Sequence, residues 1–352
     1  MFLLWSGFFL HSGFTYDYRH GYHHKILMEK QQINSIPKCL RIKYSPTNCT
    51  QIPISPYVFI SKKNANPDSL MNKGIALDEK GKYEEAITYY DKVLTIDPDN
   101  IDALYAKGSA LDDLGKYEEA ITYYDKVLAV SPNDADTLNS KGVALKNLGK
   151  YEEAITYYDK ALAVDPNFVY SLNNKGVALD NLGKYEKAIT NYDKALSINP
   201  KFPDSLNNKA NAIVKLALEG PKISQNFYSL RPYYSYIVTT QTSPFTGNIK
   251  QIEEALQVYD KALAQDPNSP DILTNKGIAL TKIGKNNEAV DLFNKALTAN
   301  PEHAPALYNK SLILEKMGRS DEAYDLKQRA ANIDPTYEGD FTNILATSHA
   351  FA

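Results

Sequence analysis

GKYEEAITYYDK, from Gly81 to Lys92, recurs unchanged from Gly115 and from Gly149, and a close copy, GKYEKAITNYDK, starts at Gly183. The interval is 34 residues each time. Prolines keep the same beat at Pro98, Pro132, Pro166, Pro200, Pro267, Pro301 and Pro335, with a single long step of 67 between Pro200 and Pro267. That step is one period plus 33 residues, so one repeat carries an insertion. A fixed period of this length marks a stacked-repeat architecture.

Each unit reads as two helices. Leu70, Gly74 and Leu77 recur at steps of four and three, which is one face of a helix. Gly81 interrupts that pattern, and Glu84 and Glu85 follow where a new helix favours acids in its first turn. Ala86, Tyr90, Val93 and Leu94 give the second helix its apolar side. Pro98 stops it, because proline has no N–H to donate and restricts the residue before it.

Aligned on the period, the units show columns. A leucine column runs Leu70, Leu104, Leu138, Leu172, Leu206, Leu273, Leu307. A small column runs Gly74, Gly108, Gly142, Gly176, Ala210, Gly277, Ser311. An alanine column runs Ala86, Ala120, Ala154, Ala188, Ala255, Ala289, Ala323. An aromatic column runs Tyr90, Tyr124, Tyr158, Tyr192, Tyr259, Phe293 and fails at Lys327. These columns resemble the signature of the tetratricopeptide repeat. The resemblance implies an all-α chain, an α-solenoid wound as a right-handed superhelix of about seven helix-turn-helix units. The expected division is a non-repeat segment at 1–66, an array at 67–337 and a capping segment at 338–352. The units are 67–100, 101–134, 135–168, 169–202, 203–269 with the insertion at about 217–249, 270–303 and 304–337.

The chemistry of the columns supports this independently. The small column lets two helices approach, the aromatic column fills the seam, and a lone helix pair cannot bury its own faces without neighbours. Lysine stands before the small column in every unit, at Lys73, Lys107, Lys141, Lys175, Lys209, Lys276 and Lys310, where the family usually has leucine. Its stem can cover apolar surface while its head reaches water. These lysines are expected to pair with the column Asp91, Asp125, Asp159, Asp193 and Asp260. Polar substitutions at Ser320, Lys327 and Gln328 suit a terminal unit, and Phe341, Ile344 and Leu345 fall at helical spacing for a short cap.

Outside the array, signals for chemistry are weak. Thirty-nine basic against 42 acidic residues give a net charge of −3, which argues against a general nucleic-acid binder. Cys39 and Cys49 lie outside the repeats, so no disulfide framework supports the fold, and they read as reduced thiols, with a bond between the two as the alternative. His11, His20, His23 and His24 lie in the same segment without zinc-motif spacing. No phosphate loop, nucleophile elbow or HExxH helix occurs, so neither catalysis, metal nor cofactor is expected. MFLLWSGFFL at the start is too short to span a bilayer. The insertion has no acid from Gly220 to Lys250 but carries Lys222, Arg231, Lys250 and six aromatic residues. Such a loop is usually functional or disordered, and its length, one residue short of a repeat, equally fits a decayed repeat.

In the resembling family, first helices line a concave groove that holds extended peptides. Carried over by spacing, that face is Asp68, Met71, Ile75 and Asp78, then Asp102, Tyr105, Ser109 and Asp112, then Asp136, Asn139 and Val143 beside Lys146. It continues through Asn173, Val177 and Asp180, then Asn207 and Asn211, then Thr274, then Tyr308. Lysine or arginine is missing at Met71, Tyr105 and Asn139, which disfavours a ligand gripped by its terminal carboxylate. The acidic character favours a basic or neutral extended segment of a protein or peptide. A second column, Asn72, Asn174, Asn208, Asn275 and Asn309, is expected to bond the backbone. The functional expectation is a non-catalytic, cytoplasmic interaction scaffold that binds no nucleic acid and is not held at a membrane. The alternatives are a membrane-associated assembly factor anchored by the apolar start, and a non-catalytic subunit of an enzyme complex such as a glycosyltransferase.

Overall fold

A computed structural model describes residues 66–219 and 244–340, which are helices joined by short turns, with no strand among them. They fall into two compact units, one ending at Pro166 and one beginning at Asn167. The first holds α1 (Pro67–Asp78), α2 (Tyr83–Ile96), α3 (Ile101–Asp113), α4 (Tyr117–Val130), α5 (Ala135–Asn147) and α6 (Tyr151–Val164). The second holds α7 (Val169–Asn181), α8 (Tyr185–Ile198), α9 (Pro203–Glu219), α10 (Pro244–Leu263), α11 (Pro270–Lys282), α12 (Asn286–Ala299), α13 (Ala304–Lys316) and α14 (Ser320–Ile333). A 3₁₀ turn, Pro335–Asp340, follows.

Four first helices, α1, α3, α5 and α11, start at side-chain caps, whereas α7 and α13 have none. Asn100 accepts from the Ala103 amide at 3.0 Å and Asp134 from Thr137 at 2.7 Å. Each satisfies an amide that the helix cannot. The second helices α2, α4, α6, α8, α12 and α14 lack such caps and follow a tight turn instead. Gly81 sits at φ 71°, the Lys82 amide donates back to the Leu77 carbonyl at 2.9 Å, and the chain reverses in four residues. This is the left-handed helix ending that glycine makes without a steric penalty.

Each second helix packs on its own first helix and, within a unit, on the first helix of the following pair. The core is the seam between them. Ala86, Tyr90 and Val93 are buried with Leu70 and Ile75, together with Ala103, Ala106 and Ala110 of the next helix. The small column is set by the aromatic one. A Cβ added at Gly108 would lie 2.8 Å from Cε1 of Tyr124, and one at Gly277 would lie 2.6 Å from Cε1 of Phe293.

Two differences from the sequence expectation stand out. At the insertion, α9 runs 17 residues and α10 runs 20, against 12 to 14 for the other helices. Helix therefore continues into both flanks of the segment, and Ala217 and Ile252 join one apolar cluster with Ile213, Val214 and Tyr259. Residues 220–243, and with them most of the basic and aromatic stretch, lie outside the described residues, as do the amino-terminal histidines and cysteines and Phe341, Ile344 and Leu345. Among the described residues no helix is long and apolar enough to cross a membrane, and no cluster of three or more potential metal ligands occurs.

Candidate functional site: the wall of first helices

The lysine column is structural. Lys107 Nζ pairs with Asp91 Oδ1 at 2.5 Å and Lys209 with Asp193 at 2.6 Å. Lys141 pairs with Asp125 and Lys276 with Asp260 in the same way. Each bond ties a first helix to the preceding second helix, as the spacing predicts. Lys107 and Lys141 also lie over the rings of Tyr123 and Tyr157, 4.6 and 4.3 Å from the centroids. Burial alone pulls the Lys107 ammonium down, but its bonds to Asp91 and Tyr123 outweigh that and hold it above the usual lysine value. Lys310 tests the rule. The aspartate column gives Asn294 in the preceding unit, and burial then leaves Lys310 below the usual value.

The eighteen candidate wall residues lie deeper than their spacing suggests. Asp68 is exposed, and Asp78, Asp102, Val143, Val177 and Asp180 are half-buried. The other twelve are buried: Met71, Ile75, Tyr105, Ser109, Asp112, Asp136, Asn139, Asn173, Asn207, Asn211, Thr274 and Tyr308. Tyr105 is 1% and Asn139 2% exposed, because adjacent first helices press together along this face. Tyr308 is covered by Tyr337 from the 3₁₀ turn, ring centroids 4.8 Å apart.

Much of the wall's polar capacity is spent within it. Tyr105 OH and Ser140 Oγ share a hydrogen bond of 2.9 Å. Asn208 Nδ2 donates to Asn173 Oδ1 at 3.2 Å, joined there by Ser205 Oγ at 3.0 Å, and Asn275 Nδ2 donates to Asn207 Oδ1 at 3.1 Å. All three links join the same two helical positions in consecutive pairs, so they fix neighbouring first helices in register. This corrects the backbone-bonding expectation for Asn208 and Asn275. Asn309 does bond the backbone, donating to the Pro305 carbonyl at 2.8 Å. Tyr259 OH donates to Asn211 Oδ1 at 2.5 Å, and Lys215 Nζ to Asp180 Oδ2 at 2.5 Å.

Lys146 behaves differently. It is the twelfth residue of α5, and Asp112 is the twelfth of α3. Lys146 is 8% exposed, and burial lowers its ammonium to about 8 against the opposing pull of Asp112. Nearby polar atoms are also unsatisfied. Ser109 Oγ and Tyr158 OH are buried without a hydrogen-bond partner among the described residues. Asp112 acts on Tyr158 as well, adding to the burial that raises its phenol. The candidate set omitted Lys146, although its spacing had put it on this face.

The repeat geometry agrees with family models for the tetratricopeptide repeat, which match residues 79–141, 135–168, 169–202, 270–303 and 292–325, with a TPR repeat model at 249–284. Together they span more than half of the chain. This is a tetratricopeptide-repeat protein. The TPR fold is generally a non-catalytic protein-interaction scaffold. Among solved structures the chain is similar to a tetratricopeptide repeat protein from Parabacteroides merdae, with TM-score 0.59 and 17% identity over 78% of this chain and 96% of that one. It is similar to the thermophilic TPR protein TTC0263 of Thermus thermophilus, at 0.50 and 19% over 60% and 99%. Human IFIT1, a dimer solved with m7Gppp-AAAA, gives 0.59 and 15%, and the chain spans 60% of its length. At these identities the likeness is one of fold. A search of curated proteins gives no match.

Proposed function

We propose that this TPR chain holds an extended segment of a partner protein, basic or neutral in charge, along the wall of its first helices. The observation that carries this reading is the register of that wall. Within each unit the Tyr105–Ser140, Asn173–Asn208 and Asn207–Asn275 links align first helices, so equivalent positions form a continuous strip. In the first unit the acids that keep contact with solvent on that strip are Asp68, Asp78 and Asp102. An acidic strip attracts basic segments and repels acidic ones before contact.

The test is an array of capped dodecapeptides of basic, neutral and acidic composition, probed with the full chain. Asp68→Lys with Asp102→Lys should weaken capture of the basic set while helix content stays constant by circular dichroism. Asp112 is a poorer choice, since at 8% exposure its replacement would test folding. Equal capture of basic peptides by parent and variant would remove the proposed strip.

A further inference from the structure

Within the first unit, a cleft of about 600 Å³ opens between the second helices α4 and α6 and reaches Leu138 of α5. That volume falls within the range of ligand sites, roughly 300–1,000 Å³. Leu128, Leu138 and Val164 give it apolar surface. Val164 ends α6 and is 44% exposed, as Ile96 and Val130 are at the same place in the pairs before it. Single apolar residues at a surface are ordinary, but this one lines a concavity with two leucines.

The charges around the cleft do not balance. Its one lining carboxylate, Asp125, is bonded to Lys141 of the following first helix. Lys141 Nζ lies 4.3 Å from the centroid of Tyr157, and Lys160 Nζ lies 4.5 Å from the same centroid. One ring therefore carries two ammonium groups, and only one of them meets a carboxylate among the described residues. The ring holds Lys160 beside the apolar surface, so a second carboxylate finds its cation already placed. The preceding pair repeats the lining with Leu94, Leu104, Lys126 and Val130, but has Asp99 where Asn133 stands here. That extra acid cancels the excess cation, so preference for an anion belongs to the α4–α6 cleft.

We propose that this cleft takes an aliphatic side chain from a partner protein segment in which the adjacent residue is acidic. The aliphatic group lies on Leu128, Leu138 and Val164, and the carboxylate accepts from Lys160 Nζ. The strip on the first helices attracts basic segments, so the two surfaces select opposite charges and stand or fall separately.

The test is a methyl NMR titration of the full chain with capped octapeptides of glycine and serine around a central leucine–glutamate pair. The peptide should shift the Leu128, Leu138 and Val164 methyl signals. Replacing its leucine by serine should weaken binding about tenfold or more, the loss of one buried aliphatic group. Replacing its glutamate by glutamine should weaken binding about threefold, as expected for an ion pair open to water. Lys160 is exposed, so Lys160→Gln leaves the core intact. That variant should bind the glutamate peptide about threefold less tightly and the glutamine peptide unchanged. Lys126→Gln in the preceding pair should leave both affinities as they are. Unmoved Leu128, Leu138 and Val164 signals overturn the cleft as a site. Equal effects of Lys160→Gln on both peptides, or an equal loss from Lys126→Gln, overturn the carboxylate contact.

Discussion

Lys327 Nζ donates to Glu315 Oε2 over 2.8 Å in the last pair, at the two positions where Tyr90 OH donates to Asp78 Oδ2 over 3.2 Å in the first. The swap is coupled to a third residue. Pairs with an aromatic ring here mostly carry glycine opposite, whereas Lys327 faces the unit with Ser311 in the small column. A slim aliphatic stem leaves more room for a Cβ than a ring does, although Ala210 stands opposite Tyr259 in one pair.

Lys327→Tyr should therefore destabilise the last pair by ~1–3 kcal/mol through overpacking, and Ser311→Gly in the same chain should recover most of it. Hydrogen exchange of α13 and α14 amides reads the local effect. If the two changes simply add, the residues are not coupled.

Gly108→Ala should cost ~1–3 kcal/mol, since the new Cβ would stand 2.8 Å from Tyr124 Cε1. Gly115, at φ 73° with nothing within 4 Å of an added Cβ, separates the two roles of glycine. Alanine there meets backbone strain alone. Trimming the ring with Tyr124→Leu should lessen the first penalty and leave the second, as urea unfolding of the double variants would show.

Asp125→Lys should lower stability by about 1 kcal/mol, because it sets a second ammonium against Lys141 on a half-exposed edge. The loss should shrink in 0.5 M salt, where the screening length falls to a few ångström. A thermal midpoint equal to that of the parent at low salt would mean that the lysine–aspartate column contributes nothing.

Lys146 gives a pH signature. Its folded value of about 8 lies below its unfolded 10.5, so between those values the unfolded chain binds more protons and stability rises with pH. Tyr158 and Tyr192 act in the opposite sense at higher pH. Burial, with Asp112 and Asp180 beside them, holds their phenols well above 10.0, so their contribution is complete below that value and lost above it. Lys146→Met should be more stable than the parent at pH 7 by ~1–3 kcal/mol, with the gap closing toward pH 10. Urea titrations at pH 7 and 9.5 measure it, and a gap independent of pH would show that Lys146 is solvated.

The pairing of helices was legible because the columns repeat at 34 residues and each has a steric or electrostatic reason. The Lys107–Asp91 bond was legible for the same reason. Depth was not. Periodicity says which face Tyr105 and Asn139 share, but only the approach of neighbouring first helices buries them. Nor does one sequence separate Asn275, which reaches Asn207 of the preceding pair, from Asn309, which reaches Pro305 four residues back. The same amide at the same position finds whichever acceptor its neighbour supplies. Lys146 was placed on this face by its spacing, but its burial is visible only in three dimensions.

The lysine–aspartate bonds reach back sixteen residues in every pair where they are seen, to a partner one period away from its own equivalent. Excising residues 101–134 would thus hand Asp91 to Lys141 at an unchanged separation, with Asn100 taking over the amino-terminal cap of α5 from Asp134. The Ser140 hydroxyl would find its former mate replaced, by Met71. Copy number is for that reason a nearly free variable in this molecule: pairs can be lost or duplicated by recombination between near-identical stretches, and the junction arrives already bonded.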